Sequence, residues 1–336
     1  MTHLKLITRH PLRDARQRAS YSGQILVEGD RLFVIDGNQV QILDISAPLA
    51  PRDLGFVAFR ESVTGIALHN ELLYAAEWMR ALNLVDLRDP IAPDYFDARP
   101  FIGERTGHVV RLGDYLVMGL NRKKGFALFD LKNPRAPRLL QRLPMEQDIE
   151  HVILDGELVL IANYADGLRW YDIAPSDDDH PTLHEVRHLE TPDFKADRVY
   201  PGKDRLYVVG RGKGCDIIVL DRHTGERLGE VQVGGMVSSN VVEVGDQALF
   251  FASDHTCYRV DPDHQIDPLF SQYFADDDRR YVERTNIDDP YDHQMSRADD
   301  MHHWVLRGDK LIAIQGEALV VYQVEAGSAF AAPIPR

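Results

Sequence analysis

Short apolar runs alternate with polar turns along almost the whole chain, and their order repeats. Residues 29–44, GDRLFVIDGNQVQILD, show one repeat: a Gly-Asp turn, an apolar run, a second polar turn, and an apolar run that ends in Asp. The runs are short, rich in Val, Ile, Leu and Tyr, and broken by Gly and Pro, which favours β-strands over helices. The pattern therefore predicts a series of antiparallel β-hairpins.

The hairpins recur at a period typical of one architecture. Their second strands end at Asp44, Asp86, Asp130, Asp172, Asp221, Asp261 and Gln323, at separations of 42, 44, 42, 49, 40 and 62 residues. A further apolar run precedes each hairpin, and another follows it. Repeats of about forty residues made of several short strands are typical of β-propeller blades. We therefore predict one all-β domain over residues 1–336, a seven-bladed propeller with four antiparallel strands per blade.

The two ends of the chain carry a prediction of their own. The last repeat stops after its third strand, whereas residues 4–9, LKLITR, form a strand that belongs to no repeat. If this strand completes the seventh blade, the sheet edge that would otherwise be open is covered. We therefore expect the N-terminal strand to close the last blade.

The strand endings VQILD (40–44), LNLVD (82–86) and FALFD (126–130) resemble the repeat of the LVIVD-repeat β-propeller family. The segments that follow, ISAPLAP (45–51) and LRDPIAP (87–93), resemble the continuation of that repeat. The resemblance covers nearly the whole chain and is strongest in blades one to four. It implies the propeller fold and almost nothing about activity, because propellers carry many unrelated functions. Many members of the family are exported.

Composition narrows the choice of partners. The net charge of −15 would repel nucleic acid and anionic membrane surfaces, so neither is expected as a partner. Two cysteines make neither a disulfide framework nor a cysteine metal cluster. We expect no nucleotide cofactor, because residues 210–214, GRGKG, lack the P-loop pattern. With no apolar leader and no membrane-length segment, the expected location is cytoplasmic.

The repeat register brings histidines from distant parts of the chain to equivalent positions. Each innermost strand becomes apolar at one register, and the residues just before that point are Gln24, Gly65, His108, His151, Asn240 and His303, with Asp197 or Arg198 in blade five. Because the innermost strands of a propeller surround its axis, we expect these positions to form a ring at the mouth of the central channel. We call this set the ring position.

Three imidazoles at one register suggest a site. We predict that His108, His151 and His303 bind a divalent metal such as Zn, Fe or Cu, or bind an anionic or polar substrate themselves. Acid/base or orienting groups would come from nearby positions, namely Glu150, His302, Arg198 and Arg105. The plainer interpretation is that each histidine is a solvated or hydrogen-bonded residue at a strand start, since no HExxH motif or carboxylate cage accompanies them.

Loops on the same face would complete a pocket. Predicted substrate-binding residues are Gln24, Glu61, Trp78, Tyr164, Asp197, Arg211, Asn240 and His255. Residues 275–300 form a long insertion before His302, and a loop of this length commonly serves as a lid or binding loop. We expect it to lie over the mouth. A solvated charged rim is the alternative interpretation of the same residues.

The leading functional hypothesis is an enzyme acting on a small molecule at the axial mouth. Lyase, hydrolase, isomerase and oxygenase reactions all stay open. The rival is a non-catalytic scaffold that holds a protein partner on the charged face. Geometry discriminates between them, because histidines that share one ligand must bring their rings within about 4–5 Å of each other.

Overall fold

The computed structural model describes residues 2–12, 25–78, 81–89, 94–96, 106–120, 125–146, 149, 151–174, 180–233, 237, 239–252, 256–271, 304–315 and 318–326. Their regular structure consists of 28 strands, arranged as seven four-stranded antiparallel sheets. This confirms the predicted seven-bladed β-propeller. Within these residues no helix is long and apolar enough to cross a membrane.

The first four blades follow one another directly along the chain. Blade one contains β2 (Ile25–Glu28), β3 (Arg31–Asp36), β4 (Gln39–Asp44) and β5 (Arg52–Ala58). Blade two contains β6 (Val63–His69), β7 (Leu72–Glu77), β8 (Ala81–Asp86) and β9 (Asp94–Phe96). Blade three contains β10 (Thr106–Leu112), β11 (Tyr115–Leu120), β12 (Gly125–Asp130) and β13 (Arg138–Leu143). Blade four contains β14 (His151–Asp155), β15 (Leu158–Ala162), β16 (Leu168–Ala174) and β17 (Thr182–Leu189).

The last three blades include the N-terminal strand. Blade five contains β18 (Phe194–Pro201), β19 (Arg205–Gly212), β20 (Ile217–Asp221) and β21 (Arg227–Val231). Blade six contains β22 (Val242–Val244), β23 (Gln247–Phe251), β24 (Thr256–Val260) and β25 (Ile266–Ser271). Blade seven contains β26 (Trp304–Arg307), β27 (Lys310–Gln315) and β28 (Ala318–Ala326), and β1 (Thr2–Pro11) pairs antiparallel with β28 as its outer strand.

The core is divided among the seven seams between neighbouring blades. Alternate residues of a strand face opposite sides of its sheet, so each blade contributes to two seams. Seven clusters of buried apolar side chains occupy these seams, one for each pair of neighbours, including the pair formed by blades seven and one. The inner strands β2 and β26 are also in contact, which closes the ring.

The acids that end the third strands have a local role. The carboxylate of Asp44 accepts the backbone N–H of Ser46 at 2.8 Å, and that of Asp130 accepts the N–H of Lys132 at 2.7 Å. This Asx geometry turns the chain between the third and fourth strands. The repeat therefore keeps Asp at the position where the chain must reverse direction.

The outer strands of five blades carry irregularities, at one common register in blades one, three, four and five and two residues earlier in blade six. In blades one, three, four, five and six the pairing of third and fourth strands shifts two to four residues before the third strand ends. Such bulges twist an edge strand and discourage pairing with another chain. The rim of the disc is therefore a poor template for edge-to-edge association.

Candidate functional site

Side chains at the ring position reach toward the next blade. Nδ1 of His151 in blade four accepts the backbone N–H of Val199 in blade five at 3.4 Å. Oδ1 of Asn240 in blade six accepts the N–H of Trp304 in blade seven at 2.7 Å. Val199 and Trp304 occupy the same register of their own inner strands. The ring position is therefore a site of hydrogen bonding between successive blades.

Gly65, the ring residue of blade two, also faces the next blade. A Cβ atom at Gly65 would lie 2.8 Å from the backbone nitrogen of Val109 and 3.0 Å from the Cα of His108, both in blade three. These are backbone atoms of β10, which cannot move aside without displacing the strand. Glycine at this position therefore lets the inner strands of blades two and three approach each other closely.

In blade five the structure favours Arg198 over Asp197 as the ring residue. The pairing of β18 with β19 shifts between Ala196 and Arg198, so Asp197 is the extra residue. Arg198 points forward into blade six, where its guanidinium donates to the carbonyl oxygens of Val237 and Ser239. It thus makes the same contact with the next blade as His151 and Asn240.

Asp197 instead belongs to a charged group on the rim. Its carboxylate lies 3.4 Å from Nε of Arg211. Burial raises the pKa of Asp197, and the positive charges of Arg211 and Arg198 oppose that shift. Nζ of Lys195 lies 4.9 Å from the centre of the Tyr164 ring, and Tyr164 is bridged to Ala196 by backbone hydrogen bonds. The predicted residues Tyr164, Asp197 and Arg211 are therefore neighbours at the edge of blades four and five.

Two of the three predicted histidines meet at the mouth. The rings of His108 and His151 have centroids 4.9 Å apart and pack edge to face. On its other side His151 lies 5.3 Å from the ring of Tyr200. His151 and Tyr200 are buried, and His108 is half-buried. With Arg198 they form an arc across blades three to five, which we call the mouth arc.

Electrostatics keep His108 neutral near pH 7. Burial and, to a smaller extent, the positive charge of Arg198 together lower the pKa of His108 to about 4. Burial also raises the pKa of Tyr200, with Arg198 opposing the shift. The mouth arc thus combines a fixed cation, a neutral imidazole and a protonated phenol.

The hydrogen bond from Val199 determines which proton His151 carries. A neutral imidazole has one N–H and one acceptor nitrogen. Because Nδ1 accepts from the backbone, the proton of neutral His151 lies on Nε2, which makes that atom a donor. Within the part of the chain that the structure describes, no three His, Cys, Asp or Glu side chains are grouped closely enough to hold a metal ion.

The other predicted binding residues divide between structural roles and the rim. Both amide groups of Asn240 are used by the backbone of Trp304, since Nδ2 also donates to its carbonyl at 2.9 Å. Glu61 is exposed, and Trp78 donates its backbone N–H to Ser62 at 2.8 Å. Asn240 therefore links blade six to blade seven by hydrogen bonds, whereas Glu61 and Trp78 lie near the start of β6 in blade two.

Tyr200 is a member of the mouth arc that sequence reasoning missed. It stands two residues after the ring position of its strand. The equivalent residues of the other inner strands are all apolar: Leu26, Ala67, Val110, Ile153, Val242 and Val305. Tyr200 is the only residue with a hydroxyl group at this register, and comparison of the repeats could have identified it.

Six of the predicted site residues lie outside the described residues, as does the insertion at 275–300. They are Gln24, Arg105, Glu150, His255, His302 and His303. The site geometry given above therefore concerns blades two to six and the start of β26.

A scan against protein-family models and a search of curated proteins found no match. Among solved structures, the chain is similar to the computationally designed Ika8 protein at 11% identity and a TM-score of 0.56, over 93% of this chain and 86% of that one. It is also similar to BamB from Moraxella catarrhalis at 12% identity and a TM-score of 0.57, over 97% and 99% of the two chains. At these identities the likeness shows the fold alone.

Proposed function

We propose that the protein binds a small molecule bearing a carboxylate or phosphate at the channel mouth, and that the mouth arc is the active site of an enzyme acting on it. The observation that carries this proposal is the convergence of His108, His151 and Tyr200 beside the guanidinium of Arg198. These groups come from three adjacent inner strands, which form a rigid support.

The charges of the arc favour an anion over a cation. Arg198 stays protonated at any physiological pH and can make charge-assisted hydrogen bonds to a carboxylate or phosphate. The Nε2–H of His151 is a second donor. Because the chain as a whole carries a charge of −15, a local cationic group is needed for an anion to bind at all.

His108 would supply the chemistry of the proposed enzyme. Its lowered pKa leaves the imidazole neutral at pH 7 and able to accept a proton from a bound molecule. The Tyr200 hydroxyl, whose pKa is raised, remains protonated and able to donate. The reaction class stays open. Any reaction that removes a proton close to the anionic group of the substrate fits this arrangement.

Thermal unfolding in the presence of inorganic phosphate or malonate tests the binding step. A ligand at ten times its Kd stabilises the folded state by about 1.4 kcal/mol, which raises Tm by roughly 2 °C in a protein of this size. We expect a saturable increase for the native chain and a loss of it in Arg198→Met. His151→Gln, which keeps an acceptor for the Val199 N–H, should also weaken binding. It tests the site independently of whether Arg198→Met folds.

His223→Asn is the matched control, because His223 is an exposed histidine in the turn between β20 and β21. It should respond to phosphate as the native chain does. The proposal fails if Arg198→Met and His151→Gln, both shown to be folded by circular dichroism, are stabilised by the two anions as much as His223→Asn.

A divalent metal is the second candidate ligand, and one observation favours it. The rings of His108 and His151 are as close as two ligands of one ion would be, and the neutral state of His108 is the one that binds metal. The proton on Nε2 of His151 and the nearby charge of Arg198 weigh against it. Elemental analysis of the purified protein decides, with His108→Ala, His151→Ala and His303→Ala combined as the variant that should lose the metal.

The scaffold hypothesis predicts a different result in the same experiments. If neither anion stabilises the native chain and no stoichiometric metal is present, the mouth arc is only a structural contact between blades. The charged group of Lys195, Asp197 and Arg211 would then be the better candidate for function, as part of a surface that holds a protein partner.

A further inference from the structure

A groove of about 580 Å³ opens between blades three and four, at the outer strands rather than at the channel. Its apolar lining includes Leu143 and Met145, at and just after the end of β13, and Leu183, near the start of β17. The polar lining comes from Glu146, Asp166, Arg169, His184 and Glu185. A volume of this size is within the range of sites that hold small molecules or single side chains of a partner.

Blade four departs from the repeat to create the groove. Arg169 stands three residues before Asp172, the repeat's acid within β16, on the side that faces the preceding blade. The equivalent residues Ala127, Ile218 and Val320 are buried in the apolar clusters of their seams, and those of blades one and two, Gln41 and Asn83, are polar but uncharged. Arg169 therefore places a charged, half-buried side chain at a position that is uncharged in the other blades.

The polar side of the groove has an excess of negative charge. Nε of Arg169 donates to Asp166 at 2.9 Å, and its Nη1 donates to Glu185. Tyr171 also donates its hydroxyl to Glu185, at 3.2 Å. The one guanidinium is thus shared by two carboxylates and fixes their positions, while Glu146 adds a third carboxylate to the lining. Three acids face a single arginine, in a protein whose overall charge is −15.

We propose that this groove binds an ammonium or guanidinium group carried on a hydrocarbon stem. Glu146 and Glu185 would hold the cation, and the stem would lie against Leu143, Met145 and Leu183. The acids complement the charge of the ligand, and the field of the whole chain attracts cations to it. The ligand is either a free organic amine or a lysine or arginine side chain of a partner, since both present the same chemistry.

Titration calorimetry with hexylamine and with 1-hexanol tests the proposal on the full chain. The two probes share the hydrocarbon stem and differ in charge. We expect saturable binding of hexylamine and at least tenfold weaker binding of hexanol, because only the amine can make charge-assisted bonds to the carboxylates. Equal affinity for the two probes would overturn the proposal.

Two variants locate the site. Glu146→Gln and Glu185→Gln should each weaken hexylamine binding by about tenfold, and Glu146→Gln does so without removing a partner of Arg169. Glu157→Gln, an exposed glutamate in the turn between β14 and β15, is the control and should bind as the native chain does. Native affinity in both groove variants would contradict the proposal.

A third probe distinguishes the two sources of the cation. The peptide acetyl-Leu-Arg-Leu-amide presents a guanidinium within a polypeptide. Binding at least tenfold tighter than that of hexylamine, and sensitive to Glu146→Gln, would identify a partner's basic segment. Tighter binding of hexylamine would identify a free amine. Glu146→Gln and Glu185→Gln should both leave phosphate binding at the mouth arc unchanged. The two proposals are therefore tested separately.

Discussion

Replacing Arg259 by leucine should stabilise the protein. Arg259 lies two residues before Asp261, the acid that follows β24, on the side of blade six that faces blade seven. The equivalent residue is buried and apolar in every other blade: Ile42, Leu84, Leu128, Trp170, Val219 and Val321. A charged side chain that is only 7% exposed therefore occupies a position that the fold uses for core.

The contacts of Arg259 do not compensate for its burial. Nη2 pairs with Asp267, but the carboxylate is 53% exposed, and such screened pairs contribute about 0–1 kcal/mol. Nε and Nη1 are buried and have no hydrogen-bond partner within the described part of the chain. Each such donor costs about 1–3 kcal/mol. Substituting apolar residues for buried ion pairs is often stabilising by about 1–4 kcal/mol, and we expect that range for Arg259→Leu.

Urea unfolding at pH 7, followed by tryptophan fluorescence, measures the effect. The midpoint should rise with the slope unchanged, and Tm should rise by roughly 1–6 °C. Arg52→Leu is the control, because the Arg52 side chain is 74% exposed and also pairs with an acid, Asp44. That variant should change the free energy of unfolding by less than about 0.5 kcal/mol. If Arg259→Leu destabilises the protein by 1 kcal/mol or more, its buried donors are satisfied and the reasoning is refuted.

Two further predictions concern the ring position. The lowered pKa of His108, about 4 against about 6.5 in the unfolded chain, means that stability is lost as pH falls below about 6.5, on the order of 2 kcal/mol by pH 5. Urea midpoints at pH 7 and pH 5 should therefore diverge less in His108→Asn than in the native chain, and equal divergence would contradict the shift. Asn240→Ala removes two hydrogen bonds to the backbone of Trp304 and should cost about 2–4 kcal/mol in the same assay. Asn133→Ala, at an exposed turn, should cost less than about 1 kcal/mol.

The fold was predictable because the information that specifies it is local and repeated. Each blade repeats the same hairpin, and blades one to six place an Asp at the end of it, where the carboxylate turns the chain through hydrogen bonds within two residues, as at Asp86 and Arg88. Few architectures are compatible with a repeat of about forty residues made of short strands. Copies of one signal reinforce each other, so divergence in blades five and six did not obscure the count.

Bulges limited the assignment of equivalent positions from the repeat register. One extra residue before Val199 left the ring position of blade five open between two candidates. The sequence does not show on which side of Asp197 the pairing shifts, because a bulge depends on how β18 meets β19. The groove between blades three and four was missed for a related reason. Its lining comes from the end of β13 in blade three and from β16 and β17 in blade four, and only the packing of these two blades brings Met145 beside Tyr171.

The direction of side chains was the element that repeat counting could not supply. Sheets in a propeller turn their faces toward neighbouring blades, so a residue on an inner strand points at the next or the preceding strand and not at the axis. Residues of one register therefore follow one another around the channel, as His108 meets His151 and His151 meets Val199. Identical residues become neighbours only when their blades are adjacent. A binding site at this register is consequently an arc over consecutive blades, and its preference for charge depends on the adjacent member, which in this protein is the cation of Arg198.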